Sequence, residues 1–116
     1  MKKQIKTRQI RSKAMSIANV LRSQGWIFSD ALRQGWKVAK AWSAMHEDEI
    51  IIRFLKDGEE IPEQRTATLS PAFFTYTSTN TRTKKENPLQ VKFWDTCKNG
   101  WRSFNAARFV SFAIHF

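Results

Sequence analysis

The residues best equipped to do chemistry in this chain are aromatic and cationic. Lys92, Trp94, Trp101 and Arg102 flank a turn signal at Asn99-Gly100, so two short strands can set their side chains opposite one another. An indole plane beside an ammonium or guanidinium offers a stacking platform for a base and a counter-charge for a phosphate. The competing use of the same residues is barrel core and solvated surface. A second cationic group, Arg82, Lys84 and Lys85, falls in a Thr-rich stretch from Thr75 to Pro88. That stretch reads as a long loop, either solvated or a flap able to close over an anion. A third group, Arg33, Lys37 and Lys40, is spaced by four and three residues and therefore shares one ridge of a helix. These ten residues are the ligand-binding candidates.

Catalysis is not expected. There is no GxSxG elbow, P-loop or HExxH, and the four glycines, Gly25, Gly35, Gly58 and Gly100, stand alone rather than forming a phosphate cradle. Cys97 precedes Lys98 but has no histidine near it in sequence, so it reads as a turn cysteine rather than an activated thiol. Glu47, Asp48 and Glu49 read as a solvated junction between helix and strand. His46 and His115 read as surface or terminal residues rather than general bases. With one cysteine they give no zinc-ligand spacing, so neither a metal nor another cofactor is expected.

The 116 residues make one domain's worth of chain, and 41% hydrophobic with 26% charged is ordinary for a globular domain. No apolar run approaches the roughly 18 residues of a membrane span. Aromatic content is high, with five Trp and nine Phe, and the net charge of +10 predicts attraction to a polyanion. That charge is unevenly spread: residues 1–45 carry +9, residues 46–70 carry −4 and residues 71–116 carry +5. Lys2, Lys3, Lys6, Arg8, Arg11 and Lys13 have no acid among them, as befits either a basic arm on nucleic acid or a solubilising terminus. The lone cysteine and the absence of an apolar leader after Met1 point to the cytoplasm.

The elements that must position these groups follow from the hydrophobic period. Ile10, Ala14, Ile17 and Leu21 mark a helix over 10–23, stopped by Gly25. A second helix over 29–45 opens on Ser29 as N-cap and carries Ala31, Gly35, Val38, Trp42 and Met45 beside Leu32, Trp36 and Ala39. Trp36 and Trp42 are expected to pack on the rest of the domain. Near Met45 the period drops to two, giving strands over 50–56, 64–69, 89–95, 101–104 and 109–114. Asp57-Gly58 and Asn99-Gly100 predict tight hairpins, Pro62 an edge or bulge, and Phe73, Phe74 and Tyr76 an irregular extended segment. In the last strand Val110, Phe112 and Ile114 are expected inward, Phe109 and Ser111 outward. The fold class is therefore α+β: a helical hairpin, then a small five-stranded antiparallel barrel of SH3-like or Sm-like type. The single domain divides into a basic arm (1–9), the helical hairpin (10–46) and the barrel (50–116).

The segments Arg53-Phe54-Leu55-Lys56-Asp57-Gly58 and Arg65-Thr66-Ala67-Thr68-Leu69 carry a resemblance, as do Phe93-Trp94-Asp95 and Gly100-Trp101-Arg102-Ser103-Phe104. Over about residues 50–114 the chain resembles a family of small Sm-like, SH3-barrel-fold proteins carried by phages and their hosts. The stretch from Phe28 to Trp42 is similar to a helix often found ahead of that barrel. The resemblance implies a phage-type, non-enzymatic role in an infected or prophage-bearing bacterial cell: sequestration of an anionic nucleotide signal, cyclic or ADP-ribose-derived, as counter-defence. The inventory fits two other roles, direct binding of DNA or RNA and inhibition of a nucleic-acid-handling host enzyme through the helical face. A homo-oligomer is expected under each, because five short strands leave edges and the helices offer an apolar seam. No membrane partner is expected.

Overall fold

The computed structural model describes residues 6–56, 58–70 and 87–114. Two helices, α1 (Thr7–Ser23) and α2 (Phe28–Glu47), precede five strands: β1 (Ile50–Phe54), β2 (Glu63–Thr68), β3 (Gln90–Asp95), β4 (Gly100–Asn105) and β5 (Phe109–Ile114). A single 3₁₀ turn, Ala106–Arg108, joins β4 to β5. The architecture is the expected α+β one, with the change of period at Met45 marking the end of the helical part.

Local chemistry sets the helix ends. The Lys6 N–H donates to Gln9 Oε1 at 3.1 Å, so α1 begins earlier than the periodicity indicates and Thr7 to Gln9 belong to the helix rather than to a basic arm. At its other end Gly25 takes φ +100°, its N–H donates to the Arg22 carbonyl, and the Trp26 N–H donates to that of Leu21. This is the left-handed glycine stop that Gly25 predicted. The N-cap of α2 is Ile27, not Ser29: the Ala31 N–H donates to the Ile27 carbonyl at 2.9 Å, which leaves Ser29 inside the first turn. Ala14, Ile17, Ala18 and Leu21 of α1 are buried. Gly35 is required in α2 because a Cβ there would run into the backbone carbonyl of Ala14.

The strands form one antiparallel sheet in the order β4-β3-β2-β1-β5. Its inner face, carrying Ile50, Ile52, Phe54, Ala67, Val91, Phe93 and Phe104, shares one core with Ile17, Leu21, Val38, Ala41 and Met45 of the helices. Phe104 stacks on Phe54 and Phe109 at centroid distances of 5.6 and 5.1 Å. The helices thus cover one face of the sheet. Trp42, itself half-buried, packs on this core as expected, with Trp26 and Leu32 beside it; Trp36 is likewise half-buried.

Three polar groups fasten helix to sheet. The buried Gln34 donates from Nε2 to the carbonyls of Ala106 and Phe109, both at 2.8 Å, and Lys37 Nζ donates to the Val110 carbonyl at 3.2 Å. The hydroxyl of the buried Thr68 donates to carbonyls of Met45 and Asp48 at the end of α2.

Three expectations need correction. In β5 the register slips between Arg53 and Phe54, which pair with Ser111 and Phe109 and leave Val110 as the extra residue. The bulge turns Phe109 inward, where it is buried, and Ile114 ends 57% exposed. Neither hairpin has a two-residue turn. Phe54 pairs with Glu63, leaving a connection over 55–62, and Asp95 pairs with Gly100, leaving 96–99 as a four-residue loop with Asn99 at φ +50°. Positive φ is indeed needed there, and at Gly58, but within longer loops. Phe73, Phe74 and Tyr76 lie outside the described residues, as does Asp57.

Candidate functional site

The outer face of the β3–β4 ribbon is the candidate site. Strict antiparallel register sets Trp94 opposite Trp101, Lys92 opposite Ser103, and Gln90 opposite Asn105. Alternation sends Val91, Phe93 and Asp95 inward, so these three cross-strand rows face away from the helices. The indoles of Trp94 and Trp101 meet edge to face, with centroids 5.5 Å apart and planes at 82°. Trp94 is half-buried and anchors the pair, leaving Trp101 42% exposed. Lys92 is exposed one row away. Trp94, Trp101 and Lys92 are therefore brought together, as their spacing predicted.

Arg102 is not part of that group. It pairs with Phe93 and so projects from the other face of the sheet, where Nε approaches Asp95 Oδ2 at 3.3 Å. It ends a ladder of alternating charge: Lys56 to Glu63 Oε2 at 3.0 Å, Glu63 to Arg65, Arg65 Nη1 to Asp95 Oδ2 at 3.9 Å, then Arg102. Asp95 is fully buried, and its Oδ1 accepts from the Cys97 and Lys98 N–H groups at 3.0 and 3.2 Å, pinning the 96–99 loop that follows β3. The ladder is structural: it ties β2, β3 and β4 together at one end of the core.

The Lys56 ammonium, hydrogen-bonded to Glu63, holds that carboxyl below its ordinary range, and Arg65 adds to the effect against the opposing pull of burial. A depressed folded-state value stabilises the fold above the unfolded glutamate pKa and is lost as pH falls through the folded one. Glu63→Gln is accordingly expected to cost no more than about 1 kcal/mol at pH 7. The difference from wild type should shrink towards zero on acidification below about pH 4, as read from urea midpoints at several pH values. A difference that stays constant down to pH 3 would contradict the assignment.

The remaining candidates sit elsewhere. Arg33 and Lys40 are exposed on α2, across the core from the Trp pair, and Arg33 lies 3.7 Å from Asp30. Lys37 of the same ridge spends its ammonium on the Val110 carbonyl. Arg82, Lys84 and Lys85 fall outside the described residues, as do Lys2, Lys3 and His115. Cys97 is an exposed cysteine of the 96–99 loop, its thiol 3.7 Å from Thr66 Oγ1. His46 packs edge-on against Trp42 with centroids 4.7 Å apart. Asp48 caps α2 and accepts from the Glu49 N–H through its own side chain. Among the described residues no group of His, Cys, Asp and Glu is arranged to hold a metal ion, and no helix is long and apolar enough to cross a membrane.

Arg108 escaped the sequence reading. Its guanidinium donates to the carbonyls of Leu55, Lys56 and Glu59, organising the β1–β2 connection. Only long-range contacts define that role, so no local pattern announces it.

No curated protein and no solved structure matches the chain. A family model does: that of WYL_2, an Sm-like SH3 β-barrel fold, matches residues 38–110, from the middle of α2 through all four following strands into β5. With most of the chain matched and the five strands in place, the protein belongs to the WYL_2 family of Sm-like SH3 β-barrel folds.

Proposed function

We propose that this chain is a non-enzymatic binding protein that holds single-stranded nucleic acid on the outer face of β3 and β4. The observation that carries this reading is the Trp94–Trp101 pair, with Trp101 42% exposed and Lys92 exposed one row away on the same face of the ribbon. An exposed indole braced by a second one stacks on any base, and an ammonium next to it meets the phosphate. The net charge of +10 adds a sequence-independent attraction to the same ligand. Sequestering a small free nucleotide, the phage counter-defence role, calls for a site that encloses most of the ligand. The exposed side chains of Trp101 and Lys92 follow one another along the ribbon, which suits a strand running over them better.

Fluorescence anisotropy with a labelled single-stranded 12-mer is the test. Trp101→Ala is expected to weaken binding about tenfold, at the lower end for one base–aromatic stack. Affinity should fall with salt at a log–log slope of about 0.7 per phosphate contacted. A folded Trp101→Ala protein that binds as tightly as wild type would return the residue to a packing role. Binding of a free cyclic or diphosphate nucleotide, with no binding of the 12-mer, would favour sequestration instead.

A further inference from the structure

The three rows of the β3–β4 ribbon differ in chemistry. Successive rows lie two residues apart, about 6.7 Å along a strand. The first row is aromatic (Trp94, Trp101), the second is cationic and hydroxylic (Lys92, Ser103), and the third carries two carboxamides (Gln90, Asn105). The third row borders a depression of about 260 Å³ lined by Asn87, Leu89, Gln90, Ser103, Phe104 and Asn105. Among the described residues its lining holds no charged side chain. A stacking surface, a phosphate contact and an uncharged hydrogen-bonding pocket thus follow one another along one ribbon.

Hydrogen bonds within the protein decide which atoms of that pocket remain for a ligand. Asn105 Oδ1 accepts from the Ala107 N–H at 2.9 Å, so its Nδ2 donors remain. Asn87 Oδ1 accepts from the Leu89 N–H at 3.0 Å, and again Nδ2 remains. Gln90 Nε2 donates to Ser103 Oγ at 3.3 Å, which leaves Gln90 Oε1 to accept and the Ser103 hydroxyl proton to donate. The pocket is therefore rich in donors, and Gln90 Oε1 is the side-chain carboxamide oxygen in it that no backbone N–H of the described residues engages.

We infer that this depression is a base-reading subsite with a preference for pyrimidines, resting on the reading of the ribbon as a single-strand surface. The Watson–Crick edge of cytosine, thymine or uracil presents two acceptors and one donor, the complement of this set. Guanine presents the reverse, two donors and one acceptor, and adenine one of each. A purine therefore leaves pocket donors unpaired or sets donor against donor, and unpaired polar groups are what make such pockets selective. The base on Trp101 is bound without regard to its identity; the base at the carboxamide row is selected.

The experiment measures affinities of the full chain for dT, dC and dA 12-mers and for an rU 12-mer, at one salt concentration. Wild type is expected to prefer dT and dC over dA by about tenfold, the scale of one well-made pair of base contacts. Self-stacking of dA could produce part of that ratio, so variants decide. Asn105→Ser keeps an oxygen for the Ala107 N–H, as serine does at N-caps, but removes the amide donors. It should lower the pyrimidine-to-purine ratio to below about threefold by weakening dT and dC more than dA; Gln90→Leu should act in the same direction. Tighter binding of either dT or rU supports the subsite and tells which sugar the ribbon prefers. Equal binding of all 12-mers by wild type, or a ratio untouched in both variants, would overturn the subsite. If Trp101→Ala still weakens binding in that case, the single-strand surface itself stands; if no 12-mer binds, both fail.

Discussion

Asp95→Ala is expected to cost about 3 kcal/mol, the low end for breaking a buried ion pair, because Arg102 and Arg65 keep some access to water. The carboxylate is fully buried and does two jobs at once: Oδ1 holds the Cys97 and Lys98 N–H groups, and Oδ2 faces both guanidiniums. Removing it strands two N–H groups of the loop and leaves like charges facing each other. Urea denaturation checks the figure, with Arg102→Gln as comparison. That variant should lose less, because the Arg102 side chain is 43% exposed. A loss below about 0.5 kcal/mol for Asp95→Ala would show that the charge ladder does not hold the strands together.

Gly35→Ala sets two effects against each other, and their magnitudes predict the sign. In a helix interior alanine is favoured over glycine by about 1 kcal/mol. Here the added methyl would meet the Ala14 carbonyl oxygen, a backbone atom that cannot rotate away. Separating α1 from α2 to make room costs about 1–3 kcal/mol as overpacking, and it also loosens the contacts of Ala18, Ala31 and Leu21 in the shared core. A net loss of about 1–2 kcal/mol is expected, read as a lower thermal midpoint in calorimetry. A more stable Gly35→Ala protein would mean that the helices do not approach as closely as described.

Where the hydrophobic period is sustained, the fold was legible in the sequence. The helices and strands fall within a few residues of where Ile17, Leu21, Val38, Ile52, Val91 and Phe93 put them. Turns were less legible, because Asp57-Gly58 and Asn99-Gly100 announce positive φ without saying how many residues surround it. The face of Phe109 was misplaced because a bulge at Val110 is a property of pairing with β1, not of the last strand alone. Of the site, Trp94, Trp101 and Lys92 could be found because alternation on both strands of one hairpin puts them together. Arg102 was grouped with them by proximity in sequence, but odd and even positions of β4 face opposite ways. Gln90, Asn105 and Asn87 give no signal of their own; they become a pocket only once the strands are in register.

The central claim, that a single strand stacks on the β3–β4 ribbon, is most directly tested by following the five indole N–H signals by NMR while adding a dT 12-mer. The signals of Trp94 and Trp101 are expected to move together and saturably, while those of Trp26, Trp36 and Trp42, on the helical side, hold their positions. Movement of the Trp36 or Trp42 signals with those of Trp94 and Trp101 unchanged would contradict the account and transfer the site to the helices.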